Sequence, residues 1–404
     1  QLETCWETDL GAYPAAPVIA NDTVFVPRVE KHAVCALDAS DGSKKWEYVA
    51  GGRVDSPPTY YRGLLLFGSR DGWVHCLRAS DGVLVWRFRD LPKRLIVAHG
   101  QLESPWPVHG SILVKDQLAY FAAGRNAFLD GGIVMYALDP ATGRVEHRRR
   151  IYGPFREETG FPVATRSNYR GVRAFKNDIP VTDGERIYLR HRAFAPDLSD
   201  ADSLRPHIIP TAGFTGATPT GAVSQRRTYW TIATGYYQFS GLFPPQWKGP
   251  WGDILVTDGD MFYEVRGFPV KRHSYFDPRR EGYLLFAGEV PERLPDRKGD
   301  IADRKKAGVW QQRIPMNGEA MVKAGSTLFV AGTRAYFPPD HPVEKYRESH
   351  EGKMGGMLWA GSAGSGKELA RYELSAPPSW DGMAAARGRL YLSLQDGRVI
   401  CLKD

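Results

Sequence analysis

Cysteine is scarce in this chain, and long apolar runs are missing. Four cysteines occur among 404 residues. That number is too small for a disulfide framework, and their spacing shows no C-x-x-C or Cys/His pattern typical of a zinc site. No stretch approaches the roughly 18 consecutive apolar residues that a membrane-spanning helix needs. These absences exclude a disulfide-stapled scaffold and a helix that spans a membrane.

The composition is that of a turn-rich globular protein. Hydrophobic residues make up 42% of the chain and charged residues 25%, with 43 Gly and 29 Pro. Such figures favour an all-β fold over a helical one. The net charge of +7 is compatible with a polyanionic partner, or with solubility alone. Arg148–Arg150 lack alternating aromatic residues, so we expect no nucleic-acid partner.

The chain begins with Gln rather than Met. No charged segment followed by an apolar stretch stands at its start. We therefore expect that an export signal has been removed and that the protein is periplasmic or secreted.

A repeat of about forty residues organises the N-terminal part. Trp6, Trp46 and Trp86 are 40 residues apart, and the Ala-Ser-Asp-Gly of 39–42 recurs at 79–82. A third copy lies at 137–143, and the end of the chain repeats the pattern once more. Short β-branched and aromatic runs alternate with Asp-Gly or Thr-Gly turns, which supply the positive φ of tight hairpins. Four short strands per unit, repeated radially, predict a β-propeller.

Residues 36–46 resemble the repeat of the pyrroloquinoline-quinone-like (PQQ-like) β-propeller family, in particular a large uncharacterised bacterial group. The likeness is specific at Trp46 and Trp86, less so at 137–147, where His147 replaces the tryptophan, and it fades to alternating strands and turns between 150 and 375. The resemblance implies that an Asp-x-x-x-Gly turn joins the third strand to an outermost strand, whose Trp docks between blades. It implies a fold and no particular reaction.

We expect the N-terminal strand to close the ring. The last repeat stops at Asp404 before its Trp strand, and residues 3–9 around Trp6 form just such a strand. Their pairing would complete the last blade and remove two sheet edges. Residues 1–404 are thus predicted to form one propeller domain of about seven four-stranded blades. A total of eight blades is the alternative that stays open, because residues 192–250 are hard to divide into strands.

Two cysteines occupy equivalent positions in the repeat. Cys76 and Cys401 stand where Ala36 and Ala137 stand in other units. Small residues there indicate tight packing between strands, so we expect these two thiols to be buried and inert.

The later blades carry long insertions. All are interpreted as loops between successive blades or between second and third strands, which share one face of a propeller. Long ordered loops on a rigid scaffold are where function concentrates. The insertions cover residues 90–110, 124–131, 151–176, 195–227, 236–251, 267–282 and 333–355.

These insertions are rich in Arg, His, Tyr and Trp. Arginine offers a planar fork for carboxylates and sulfates, and Trp and Tyr stack on sugar rings. An acidic oligosaccharide or polysaccharide is therefore the predicted partner. Its predicted binding residues are Trp106, Arg125, Arg170, Arg173, Arg227, Tyr229 and Trp230. The alternative is that the arginines pair with nearby acids and the aromatics pack the loops together.

Three functions stay open. A polysaccharide lyase needs a cation beside the uronate carboxylate and a basic side chain. Its candidate catalytic residues are Arg166, Tyr169, His109 and His191. A non-catalytic scaffold is the second reading, because the propeller lipoprotein of the outer-membrane assembly machinery resembles this repeat and acts by protein contacts. The third is a quinone-dependent dehydrogenase.

The sequence assigns no cofactor and no metal site. By resemblance, quinone-dependent dehydrogenases need a Trp platform, a vicinal Cys-Cys disulfide and Glu, Asn or Asp ligands for calcium. No two cysteines are adjacent in this chain, which disfavours PQQ as a cofactor. A requirement for a divalent metal and the oligomeric state stay open.

Overall fold

The computed structural model describes residues 2–98, 100–127, 129–153, 176–190, 192–201, 205–210, 230–233, 250–266, 283–290, 308–335 and 342–404. Its secondary structure is almost entirely antiparallel β-sheet, which confirms the predicted all-β class. The first strand, β1 (Glu3–Asp9), pairs with the last strand of the chain.

Three four-stranded sheets, here called blades 1 to 3, come next, with a two-stranded hairpin between the second and the third. Their strands in chain order are β2 (Val18–Ala20), β3 (Thr23–Arg28), β4 (Ala33–Asp38) and β5 (Lys44–Val49) in blade 1; β6 (Thr59–Tyr61), β7 (Leu64–Gly68), β8 (Val74–Arg78) and β9 (Leu84–Phe88) in blade 2; β10 (Ile96–Ala98) and β11 (Gln101–Glu103) in the hairpin; and β12 (Leu113–Lys115), β13 (Leu118–Ala123), β14 (Ile133–Leu138) and β15 (Val145–Ile151) in blade 3.

Two three-stranded sheets and three four-stranded sheets follow, as blades 4 to 8. Their strands are β16 (Val181–Thr182), β17 (Ile187–Leu189) and β18 (Arg192–Phe194); β19 (His207–Pro210), β20 (Trp230–Ala233) and β21 (Trp251–Gly252); β22 (Ile254–Asp258), β23 (Met261–Arg266), β24 (Tyr283–Glu289) and β25 (Gly308–Ile314); β26 (Ala320–Ala324), β27 (Thr327–Thr333), β28 (Gly356–Ser362) and β29 (Glu368–Leu374); and β30 (Pro378–Ala386), β31 (Arg389–Leu394) and β32 (Arg398–Lys403), which β1 completes.

The described strands thus form eight successive blades, the larger of the two numbers left open by the sequence. Strands between residues 181 and 252 are divided between blade 4 and blade 5. Residues 195–201 form a tight turn that runs back along β18, with Ala195 N–H donating to Ser199 O at 2.9 Å and Ala201 N–H to Ala193 O at 3.1 Å. The interval predicted as an insertion at 195–227 therefore contains this turn and strand β19 of blade 5, and its residues 211–227 lie outside the described residues.

Every four-stranded blade has the same β-bulge between its third and fourth strands. One residue of the fourth strand is extra, and the next one stands opposite a small residue, Ala or Cys, of the third strand. A bulge increases the local twist and re-aims side chains. The extra residues are all exposed, and they are Cys5, Lys45, Val85, Glu146, Val309 and Leu369.

Tryptophans of the fourth strands dock onto the following blade, as the resemblance implied. Trp46 Nε1 donates to the carbonyl of Ala79 at 3.1 Å, and its ring covers Gly82 so closely that a Cβ there would lie 2.6 Å from Cε3. The same arrangement joins Trp6 to Gly42, Trp86 to Gly143 and Trp310 to Gly366. Apolar clusters between neighbouring blades extend these contacts into the core.

The ring closes through the N-terminal strand, as predicted. Strand β1 pairs with β32 from Glu3, opposite Lys403, to Asp9, opposite Arg398. Trp6 of this strand donates to the carbonyl of Ala39 in blade 1 at 3.1 Å. The last blade is therefore completed by the chain's own start, which then docks onto the first blade.

The loops that lead into a blade meet the turns between second and third strands, and this shared surface is called the upper face here. Arg70 N–H donates to Arg53 O at 2.9 Å, and Ser104 N–H donates to Arg70 O at 2.8 Å. A short helix, α1 (Val343–His350), lies in the connection between β27 and β28. Among the described residues, no helix has the length and apolar character needed to cross a membrane.

Candidate functional site

The insertion at 90–110 folds into an exposed hairpin, called the blade 2 hairpin here, made of β10 and β11. Val97 stands directly opposite Leu102, while Ile96 faces Glu103 across the pair. Because side chains alternate between the two faces of a strand, Val97 and Leu102 share the outer face. They are 78% and 58% exposed, and Leu95 beside them is 48% exposed. The outward surface of this hairpin is therefore apolar.

A buried group of charges holds the base of the hairpin, and we call it the Arg70 cluster: Arg53, Asp55, Arg70 and Glu103. Arg53 Nη2 lies 3.2 Å from Asp55 Oδ1, Arg70 Nε bonds the other carboxylate oxygen of Asp55, and Arg70 Nη1 lies 3.4 Å from Glu103 Oε2. None of these four side chains is more than 5% exposed. Two cations and two anions thus neutralise one another beneath the upper face.

Burial and ion pairing shift the pKa of Arg70 in opposite directions. Burial disfavours its charge, but the carboxylates of Asp55 and Glu103 outweigh burial and raise its pKa above the ordinary value. Removing one partner of a buried ion pair strongly destabilises the folded protein, because the other charge is left buried and uncompensated. The cluster therefore fixes where the hairpin leaves the blade.

The far end of the hairpin is held as well. Gln101 Oε1 lies 3.1 Å from Nε2 of His32, which belongs to the turn between β3 and β4 of blade 1. The hairpin consequently extends from its base in blade 2 across the upper face to blade 1. Anchored at both ends, it presents Val97 and Leu102 on a fixed backbone.

Beside the cluster, three side chains form a Ser–His contact that superficially suggests a nucleophile. His75 Nε2 lies 3.2 Å from Ser69 Oγ, and His75 Nδ1 lies 3.1 Å from the Tyr48 hydroxyl. The Ser69 hydroxyl, however, donates to Asp71, and the imidazole stacks on Phe67 with ring centroids 5.1 Å apart. A catalytic triad needs an acid on the second ring nitrogen. This histidine is instead a packed core residue.

Burial lowers the pKa of His75 to about 4, although the Asp71 carboxylate partly opposes the shift. Between pH 6.5 and pH 4 the His75 imidazole binds a proton in the unfolded chain but stays neutral in the folded protein. Stability therefore falls as the pH is lowered through this window, by about 3 kcal/mol from this one residue. Urea unfolding at pH 7, 5.5 and 4 should show this loss in the wild type and not in His75→Gln. His147→Gln, on the outer strand β15, should keep the wild-type slope, and equal slopes in all three proteins would contradict the assignment.

Two of the residues predicted for the site, Trp106 and Arg125, lie together near the hairpin. Trp106 Nε1 donates to Asp130 O at 2.9 Å, and Arg125 Nη2 pairs with Asp130 Oδ2 at 2.6 Å. Arg94, at the start of the hairpin, also pairs with Asp130, at 3.4 Å. His109 follows in the same segment and is only 4% exposed. Asp130 thus joins the insertions at 90–110 and 124–131 and engages their basic and aromatic side chains.

The other predicted site residues are not brought to this place by the described structure. Trp230 is half-buried on β20 of blade 5, opposite Gly252. The remaining candidates lie outside the described residues, and they are Arg166, Tyr169, Arg170, Arg173, His191, Arg227 and Tyr229.

The sequence did not single out the hairpin or the Arg70 cluster. A signal for the hairpin existed, because Leu95, Ile96 and Val97 form an apolar run within a loop. No local pattern marked the cluster, since Asp55, Arg70 and Glu103 meet only after folding. Such partners are visible in a structure and not in a linear reading.

A shallow cleft opens between blades 2 and 3. Its cavity volume is about 10 Å³, and it is lined by Phe88, Phe121 and Tyr136 with Arg89, Asp90 and Leu91. Small-molecule sites usually measure about 300–1,000 Å³. This cleft is too small for such a ligand and belongs to the packing between the blades.

Within the described ranges, the residues do not fit the cofactor of the quinone-dependent dehydrogenases. The whole chain contains no adjacent cysteine pair. In the part of the chain that the structure describes, no group of three or more His, Cys, Asp or Glu side chains is arranged to hold a metal ion. We therefore derive no reaction step through a quinone.

Comparison with known proteins agrees with the fold. Residues 3–170 match the family described as outer membrane protein assembly factor BamB. The chain is 26% identical over 162 residues to the dehydrogenase subunit of alcohol dehydrogenase (quinone) of Gluconobacter oxydans (strain 621H), and 30% identical over 92 residues to the outer membrane protein assembly factor BamB of Yersinia pestis. The alignments cover 37% and 20% of this chain but 21% and 23% of those proteins, so the chain spans less than a quarter of the curated relatives it matches.

A solved structure extends the likeness to nearly the whole chain. The quinohemoprotein alcohol dehydrogenase of Comamonas testosteroni superposes with a TM-score of 0.56 at 14% identity, covering 99% of this chain and 76% of that one. At this identity the similarity concerns the fold alone. Residues 3–170 of this chain therefore carry a repeat similar to that of the PQQ-like family.

Proposed function

We propose that this protein is a non-catalytic scaffold that binds a protein partner through the blade 2 hairpin. The observation that carries the proposal is the reversed polarity of the hairpin: Val97 and Leu102 face solvent while Glu103 is buried. A surface hairpin ordinarily directs polar side chains outward. Adjacent exposed apolar side chains on a rigid element are typical of an interaction site.

The anchoring of the hairpin supports binding rather than random exposure. The Arg70 cluster holds its base, and the contact between Gln101 and His32 holds its tip. A surface that is fixed before binding loses little conformational entropy when it binds. The partner best suited to it is a protein that offers an extended apolar segment, because the described residues leave both outer edges of the hairpin unpaired and a strand can add there.

The family match supports the same role, although one curated relative is a dehydrogenase subunit. The family that matches residues 3–170 is described as an outer membrane protein assembly factor, a name that denotes assembly and not a reaction. An extracytoplasmic location, which the sequence predicts, agrees with that name.

Cross-linking at the hairpin tests this function. A photo-reactive phenylalanine at position 97, introduced in the native host, is expected to capture one protein, and the same residue at position 369 is not. Leu369 is a suitable control because it is 60% exposed on blade 7 at a bulge position. With the captured protein purified, the double substitution Val97→Glu and Leu102→Glu should weaken binding by about 30-fold.

Leu369→Glu should leave the affinity unchanged. The scaffold function would be wrong if position 97 captured no protein beyond those captured at position 369. It would also be wrong if the double variant bound the captured protein as tightly as the wild type.

Recognition of an acidic carbohydrate, with lytic cleavage as an extension, is the second candidate. Its support is the density of Arg, Tyr and His in the insertions, from Arg166 and Tyr169 to Arg227. Two of the predicted carbohydrate-site residues are less accessible to a ligand than the sequence suggested, since Arg125 pairs with Asp130 and His109 is buried. Absorbance at 235 nm with uronate polysaccharides, with and without divalent metal, tests cleavage, and Tyr169→Phe is the variant that should abolish it.

A further inference from the structure

The pairing of β1 with β32 closes the ring, so the closed state depends on this one junction. Strand β1 has β32 as its neighbour in the last blade, and it leads directly into blade 1. Its tryptophan, Trp6, packs against Tyr391 of β31, with ring centroids 6.0 Å apart. If β1 detached, the ring would open and blade 8 would lose its outer strand.

The bulge of this last blade differs from the other five in one respect. In every four-stranded blade an extra residue of the fourth strand lies beside an Ala or Cys of the third, but only here are both residues cysteine. Trp6 stands opposite Cys401 and Thr4 opposite Leu402, so Cys5 is the extra residue next to Cys401. In a β-bulge two residues of one strand face a single residue of its partner, so Cys5 shares with Trp6 the position that faces Cys401. Paired antiparallel strands hold facing Cα atoms about 4.5–5.5 Å apart, a spacing that a disulfide can bridge.

The two thiols also interact. Cys401 is fully buried and Cys5 is exposed. Burial raises the pKa of Cys401 to about 11, and the neighbouring Cys5 thiol adds to the rise. The Arg389 guanidinium, which interacts with both cysteines, opposes that rise because a cation favours a thiolate. Tyr391 stands opposite Cys401 on the other side and completes the group.

We propose that Cys5 and Cys401 form a disulfide bond that locks the propeller ring closed. The oxidant is a small disulfide such as oxidised glutathione. The exposed Cys5 thiol attacks it, forms a mixed disulfide and releases one glutathione thiol. The Cys401 thiol then attacks the Cys5 sulfur and displaces the second glutathione thiol. Two protein thiols are oxidised, one glutathione disulfide is reduced, and both protons leave on glutathione.

This bond does not depend on the proposed scaffold function. It would join residues at opposite ends of the chain, and a cross-link that closes a long loop restricts the unfolded state most. Buried Cys401 is therefore not inert, although it is buried as the sequence predicts. Cys76, at the same position in blade 2, has Val85 as its bulge neighbour and no second thiol beside it.

Incubation of the purified protein with oxidised glutathione tests the proposal. The wild type should lose the mass of two hydrogens, keep two of its four thiols, and yield one peptide that links residues 5 and 401. Its thermal midpoint should rise by roughly 5 °C and return on reduction. Cys76→Ser should behave in the same way, whereas Cys5→Ser, a substitution at an exposed position, should gain neither the cross-link nor the shift.

Three results would overturn the bond. The first is a stable glutathione adduct on Cys5 that does not resolve. The second is a disulfide-linked dimer through Cys5. The third is a linked peptide that forms without any rise in the thermal midpoint, which would show that the bond does not hold the ring.

Discussion

Replacing Asp55 by asparagine is expected to lower the free energy of unfolding by about 3 kcal/mol. Asp55 is the central anion of the Arg70 cluster, with Arg53 on one carboxylate oxygen and Arg70 on the other. Its side chain is 1% exposed, so water cannot reach the site to solvate the arginine charges that Asp55 compensates. Asparagine keeps the shape and removes the charge, which leaves one buried guanidinium without compensation.

Asp81→Asn provides the matched control in the same blade. Asp81 pairs with Arg78 at 2.6 Å, but the two side chains are 43% and 56% exposed. A solvated pair of this kind contributes little, so Asp81→Asn should lower the free energy of unfolding far less than Asp55→Asn does. Urea unfolding of the two variants and the wild type at pH 7 measures both values. Equal losses in the two variants would contradict the view that burial makes the Arg70 cluster important.

Asp55→Asn also tests whether the Arg70 cluster positions the blade 2 hairpin. Glu103, the last residue of β11, reaches Arg70 at the edge of this cluster. If the cluster positions the hairpin, Asp55→Asn should also increase amide hydrogen exchange in residues 96–103 under conditions where the protein stays folded. Exchange in blade 7 should not change, because no described contact joins it to the cluster.

The repeat made the fold predictable from the sequence. The 40-residue spacing of Trp6, Trp46 and Trp86 reflects a physical contact, since each ring covers the glycine of the next blade's turn. The spacing, the Asp-Gly turns and the N-terminal strand therefore gave the propeller and its closure. The number of blades stayed open, because the sequence of residues 192–250 is hard to divide into strands.

The candidate site was much less predictable. The residues of the Arg70 cluster come from the loop before β6, the turn after β7 and the end of β11, so no periodic pattern connects them. The bulge next to Cys401 was hidden for a similar reason, since it requires knowing which residue of β1 is extra. Reading the composition of the insertions pointed to carbohydrate, whereas the described geometry directs attention to the apolar face of the hairpin.

A second large effect is expected from a single methyl group at Gly82. A Cβ there would lie 2.6 Å from Cε3 and 2.7 Å from Cδ2 of Trp46, and the residue has a φ of +74°. Gly63, in another turn of the same blade, has a φ of +85° but no atom within 4 Å of such a Cβ. Gly63→Ala therefore suffers only the backbone strain of about 1 kcal/mol, while Gly82→Ala adds about 1–3 kcal/mol of overpacking.

A double-mutant cycle identifies the source of that difference. In a Trp46→Ala background the ring is gone, so Gly82→Ala should cost no more than Gly63→Ala. Unfolding free energies of the single and double variants, measured in urea, give the coupling directly. Additive costs would mean that the alanine is accommodated without displacing the indole. A strong coupling would mean that docking of tryptophan on glycine stabilises the junctions between blades where this contact occurs, including the one where Trp6 closes the ring.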